Sequence, residues 1–375
     1  MQQQRVRALD IVRGIVMVLM AIDHVRVYAG VPAGSPVFSL FFTRWVTHFC
    51  APVFVFLAGT GAYLYGRRVN DARKLARYLV TRGLLLVVLE LTLIRFTWTF
   101  NLDFSRFVLA GVIWMIGWCM VLLATMVRLR PAVVGAIGVA IVALQPLFAY
   151  VPSALPEAQQ QSIGWLWEFI YPSGLKVPHV TVLYVIVPWI GVMAAGYGFG
   201  ALVTASDATR RRWFLRIGLA MTAIFLVAAT IGAMHAGPNA PPFIYRLLGQ
   251  QKYPASALFL MMTLGPTIVF LPVVERWRGR VSEIFETFGQ VPMFYYLLHI
   301  PAIHIAALIV NALRGSGYHP EWYATAPFAA VAPGAQWGLP LLYLTWLAVV
   351  AALYRPCRWF DGVKHARRGS WLRFI

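Results

Sequence analysis

The stretch "RVRALDIVRGIVMVLMAIDHVRVYAG", residues 5–30, decides how the rest of the chain is read. From residue 9 to residue 29 it is apolar and long enough for a helix to cross a bilayer, which takes about 20 residues. It nevertheless carries Asp10, Arg13, Asp23 and His24. Ionisable groups at membrane depth are expensive unless they face a partner or a cavity. The segment therefore reads as a helix packed among others. It is too long and too polar for a cleavable leader, and it begins directly after "MQQQRVR", so it is expected to stay as the first helix.

The same composition runs through all 375 residues, of which 60% are hydrophobic and 12% charged. That balance excludes an ordinary soluble globular protein. Apolar stretches fall at 9–29, 40–65, 76–98, 107–127, 131–150, 180–203, 214–235, 255–274, 288–313 and 337–354. The expected fold is all-α: a polytopic integral membrane bundle of about ten transmembrane helices, forming a single domain over 1–375. With these spans, 24 of the 32 Lys and Arg residues fall on the side that holds both ends of the chain. The positive-inside rule then places both termini in the cytoplasm. Topology accounts for most of the net charge of +19, so a nucleic-acid partner is not expected. Cys50 and Cys119 lie in apolar segments and Cys357 in the basic tail, a pattern of small core residues without a disulfide framework. Trp98, Trp165, Trp167, Trp322 and Trp337 lie near span ends and read as interfacial belt residues.

Depth arithmetic brings the polar residues together. At 1.5 Å per residue, His24 lies roughly 24 Å above the cytoplasmic start of the first helix, and His48 lies about 9 Å below the outer surface on the returning helix. The two histidines are therefore expected at similar depth. His299 falls near the middle of the ninth span and His304 in its outer third, while Glu90 and Arg95 lie in the outer half of the third. Down the first helix, Asp10, Arg13, Met17, Met20 and His24 share a narrow stripe that Asp23 leaves. Asp23 is thus expected to pair with another helix, with Arg44 or His48 as partner. Tyr295 and His299, four apart, share a face. Two plainer readings stand beside these: an Asp10–Arg13 ion pair at the interface, and histidines held by backbone carbonyls. "GYGFG" at 196–200 follows no strand and reads as small-residue helix packing, not as a phosphate loop.

The first helix together with "TRWVTHFCAPVFVFLAG" (43–59) resembles the bacterial branch of the heparan-α-glucosaminide N-acetyltransferase family, a group of transmembrane acyltransferases. "LYVIVPWIGVMAAGYGFG", "KYPASALFLMMTLGP" and "FGQVPMFYYLLHIPAIH" also resemble it. The resemblance implies transfer of an acetyl or other acyl group from cytoplasmic acyl-CoA to a hydroxyl or amine of a sugar-containing or glycolipid acceptor on the far side. Better-known animal members use an Asn on this helix and a His in the following loop. Here His24 stands at the Asn position by ungapped count, and loop 30–39, "GVPAGSPVFS", has no histidine.

Such a transfer needs a base near neutral pKa, and imidazole supplies one. His24 and His48 are the candidate bases, His24 first, with Asp23 to stabilise or orient an imidazole. Arg13, oriented by Asp10, is the candidate for the CoA phosphates. Arg44, Tyr295, His299 and His304 are candidates for the acceptor path. Acetyl-CoA would be a co-substrate, with no tightly bound cofactor; no metal spacing occurs, because the histidines are scattered and no HExxH is present. The expected location is the bacterial inner membrane, with a homo-oligomer left open. Buried His, Asp and Glu also build proton relays, so a proton-coupled transporter or flippase of an envelope glycolipid is the competing class.

Overall fold

A computed structural model describes residues 2–34, 36–174, 177–235, 237 and 240–366. Of the basic residues counted above, Lys176, Arg367, Arg368 and Arg373 lie outside them. The described chain is helical almost throughout: α1 Gln2–Tyr28, α2 Phe38–Trp45, α3 Cys50–Val69, α4 Ala72–Leu89, α5 Arg95–Thr99, α6 Val112–Met126, α7 Pro131–Leu144, α8 Glu157–Ile170, α9 Trp189–Val203, α10 Asp207–Met234, α11 Phe243–Leu248, α12 Ala257–Val274, α13 Arg280–Gln290, α14 Pro292–Leu313 and α15 Leu339–Ala366. Among the described residues, six helical stretches are long and apolar enough to cross a membrane: 38–69, 131–150, 207–234, 257–274, 292–313 and 339–366.

The ten apolar stretches therefore do not translate into ten helices of spanning length and apolarity. Two of them open with extended chain: β1 Val108–Ala110 pairs in parallel with β2 Val180–Val182, leaving α6 and α9 with 15 residues each. Helices α1 and α4 are long enough but too rich in charge. The stretch 288–313 is two helices, because Pro292 lacks the amide that a continuing helix requires and starts α14 instead. The last helix runs on past 354 to Ala366, so Cys357 is a buried helix residue and not part of a basic tail.

The chain forms two compact units. The first comprises residues 1–50, 93–102 and 270–375. In it α1 packs on α13, α14 and α15. The seam between α1 and α13 is set by two glycines: a methyl on Gly14 would overlap the Phe285 carbonyl, and one on Gly289 the Asp10 carbonyl. Lipid is as apolar as a leucine side chain, so close van der Waals contact, not water exclusion, holds such helices together. Met17 and Met20 of the predicted stripe are buried. Trp98 and Trp337 are buried as well and do not form an interfacial belt; the Trp337 indole donates to Asn311 Oδ1 at 3.0 Å.

The second unit comprises residues 51–92 and 103–269. It repeats the device. Gly83 and Gly117 face each other across α4 and α6, where a methyl on either would lie 2.5 Å from the other's carbonyl oxygen. In "GYGFG", Gly196 presses on the Phe56 backbone of α3 and Gly198 on Gly135 of α7, which is the small-residue packing expected. Glu90, buried in a π turn over Glu90–Ile94, accepts from the Ile113 amide at 3.1 Å and so caps the start of α6.

Candidate active site

One cluster of polar residues of the first unit gathers on the C-terminal half of α1. His24 is half-buried, and its Nδ1 lies 2.7 Å from Nε2 of His299 on α14, the two rings stacked with centroids 4.8 Å apart. His299 is fully buried, and its other nitrogen, Nδ1, lies 2.7 Å from the Tyr296 carbonyl and 3.2 Å from that of Tyr295. Tyr295 stacks on His299 at 5.2 Å, and its buried hydroxyl has no hydrogen-bond partner among the described residues. Trp98 of α5 places its ring edge against His24 at 4.8 Å.

Trp98 is itself held. Tyr28, one turn above His24, donates to the Trp98 carbonyl at 2.6 Å and stacks on its indole at 5.8 Å. His304 belongs to this outer layer: it stacks on Phe100 at 3.9 Å and meets Tyr28 in a tilted contact at 4.7 Å, with Nδ1 3.4 Å from the Thr97 carbonyl. Tyr323, whose hydroxyl receives from Asn311 and donates to the Tyr28 carbonyl, closes the layer. His304 thus sits one layer away from the His24–His299 pair, since five residues of helix separate it from His299 by a rise of about 7.5 Å.

Asp23 has a partner on its own helix. Arg26, three residues on, donates Nε to Asp23 Oδ1 at 2.7 Å and Nη1 to the Val31 carbonyl at 2.7 Å. The pair ties the end of α1 to the turn that follows, where Gly30 adopts φ +70°. Arg44 does not meet Asp23; it donates to the Ala33 carbonyl at 2.7 Å. His48 is buried on the 3-10 turn Val46–Phe49.

At the lower end of α1 the plain reading of Arg13 holds in part. Its Nη1 donates to Asp10 Oδ1 at 2.7 Å and to the Gly289 carbonyl at 3.1 Å. Nε and Nη2 make no hydrogen bond with the described residues, so one edge of the guanidinium is unspent. Lys364 of α15 donates to the neighbouring Gln290 carbonyl at 3.1 Å, which brings a second cation to this end. The sequence reading left Lys364 and Tyr28 out of the site and assigned Trp98 to the interfacial belt. Tyr28 was signalled by its four-residue spacing from His24, whereas Trp98 and Lys364 reach the site through tertiary packing alone.

A multi-pass helical membrane protein with a hydrogen-bonded histidine pair, one ring half-buried and the other buried, on two facing helices is the class that this fold and site define. The sequence matches the heparan-alpha-glucosaminide N-acetyltransferase catalytic family over residues 5–234, and the chain belongs to that family. It is accordingly a membrane acyltransferase of an acetyltransferase family. Comparison with curated proteins returns no match. The family segment includes His24, His48 and Arg13 and ends before α14, so His299 and His304 lie beyond it.

Proposed function

We propose that this protein transfers an acetyl or other acyl group from cytoplasmic acyl-CoA to a hydroxyl or amine of an extracytoplasmic, sugar-containing acceptor. We place it in a bacterial inner membrane with both termini cytoplasmic, the whole chain acting as one domain. The observation that carries the reading is the half-buried His24 imidazole, backed by His299 and walled by Trp98, on the helix that also bears Arg13.

His24 is the general base in this reading. As the acceptor oxygen or nitrogen attacks the thioester carbonyl, its proton passes to His24; the carbon–sulfur bond breaks, and His24 returns the proton to the departing thiolate. The acyl group thereby passes from sulfur to the acceptor, and free CoA thiol leaves. Arg13 binds the CoA phosphates through its unspent edge, with Asp10 holding the other edge and Lys364 adding charge. Asp23 acts through Arg26, by fixing the end of α1. His48, Arg44, Tyr295 and His304 line or support the acceptor path.

The test is transfer from radiolabelled acetyl-CoA to a crude envelope-glycan pool by purified protein in nanodiscs, comparing wild type with His24→Ala and His48→Ala at matched folding. Label transferred by wild type and lost in His24→Ala supports the reading. Full transfer by His24→Ala removes His24 as base. Acceptor movement without consumption of acetyl-CoA would assign the transporter class instead.

A further inference from the structure

The two contacts of His299 determine which nitrogen of His24 is basic. A carbonyl oxygen has no hydrogen to give, so at the 2.7 Å contact with the Tyr296 carbonyl His299 Nδ1 must be the donor. A neutral imidazole carries one N–H, so His299 Nε2 is then an acceptor. The 2.7 Å contact between His24 Nδ1 and His299 Nε2 therefore has His24 as donor. With its hydrogen on Nδ1, neutral His24 holds its lone pair on Nε2.

We infer that His299 is a positioning residue for the acyl transfer: its hydrogen bond holds His24 in the Nδ1–H tautomer and presents Nε2 as the base. This rests on the reading of His24 as base, and it assigns a role to a residue outside the family segment 5–234. When His24 takes the acceptor proton on Nε2, it becomes an imidazolium whose Nδ1–H bond to His299 is charge-assisted and stronger. The Tyr296 carbonyl, on the same helix turn and buried with His299, ends the chain as a fixed acceptor. The logic is that of a carboxylate orienting a catalytic histidine, with a backbone-locked imidazole in the carboxylate's place.

The experiment compares His24→Ala, His299→Leu and His299→Gln in nanodiscs for kcat, KM for acetyl-CoA and thermal unfolding. It is joined to ¹⁵N NMR of histidine-labelled protein to read the His24 tautomer. The expected result is a fall in kcat of about 100-fold or more for His299→Leu with KM unchanged, by analogy with loss of the tautomer-fixing group in a catalytic triad. His299→Gln, whose amide oxygen can accept from His24, should stay within about tenfold of wild type. In the wild-type spectrum His24 Nε2 should carry no hydrogen. An inactive His24→Ala beside a His299→Leu of normal kcat would overturn this inference and leave the base in place. Full activity of His24→Ala would instead overturn the underlying reading. If His299→Leu does not fold, a wild-type spectrum with the hydrogen on His24 Nε2 refutes the inference by itself.

Discussion

Replacing Gly289 by Ala tests the packing that places Arg13. A methyl at this position would lie 2.6 Å from the Asp10 carbonyl carbon and 3.0 Å from its Cα, and both atoms belong to the helix backbone. Non-bonded carbons rest at about 3.5–4.0 Å, so α1 and α13 would have to part by about 1 Å. The Arg13 Nη1 bond to the Gly289 carbonyl, now 3.1 Å, would then stretch to about 4 Å and be lost. Overpacking of this kind costs about 1–3 kcal/mol, and the better helix propensity of alanine returns about 0.5–1 kcal/mol. The net loss of roughly 1–2 kcal/mol lowers the unfolding midpoint by about 2–5 °C. Gly61→Ala on α3 is the matched control: nothing lies within 4 Å of its would-be methyl, so it should raise the midpoint by about 1–2 °C. Thermal unfolding followed by tryptophan fluorescence in one detergent reads both variants. A Gly289→Ala midpoint equal to or above wild type would refute the close helix approach and, with it, the placement of Arg13.

Two further predictions follow from local geometry. Asp71 caps α4, its carboxylate accepting from the Arg73 amide at 2.8 Å and the Lys74 amide at 3.1 Å; the Lys74 bond, with that of Arg73, holds its carboxyl below the usual pKa. A depressed carboxyl stabilises the helix start above its ordinary pKa and loses that effect as the pH falls through the lowered value. Protection of the first-turn amides of α4 in hydrogen exchange should drop in acid for wild type and stay flat for Asp71→Asn; equal behaviour of the two would count against the cap. Trp337→Phe strips the indole donor from Asn311 Oδ1, a side chain 1% exposed, and an unsatisfied buried acceptor costs about 1–3 kcal/mol. A fall of several degrees in the unfolding midpoint is expected, and an unchanged midpoint would return Trp337 to the membrane interface.

The sequence alone determined the class of fold, because a chain this apolar can satisfy its backbone in lipid only through helices or a closed barrel. It also determined the small-residue packing of residues 196–200, since glycines spaced along an apolar helix have no other use there. Family membership was legible in the first two apolar stretches for the same reason that His24 was: an imidazole at that depth is costly and stands out. Where helices begin and end was not legible. Residues 107–127 and 180–203 are apolar whether they are extended or coiled, and only the pairing of Val108–Ala110 with Val180–Val182 sets the start of their helices.

Partnership was decided by tertiary structure throughout. Depth counted in residues put His24 level with His48, but it has no information on azimuth between helices, and packing through Gly14 and Gly289 helps set how α1 faces its neighbours. In the folded chain His299 and Trp98 meet His24, and Arg26 on the same helix pairs with Asp23. A helix's sequence states which residues share a face; which neighbour that face meets depends on close-packed contacts hundreds of residues away along the chain.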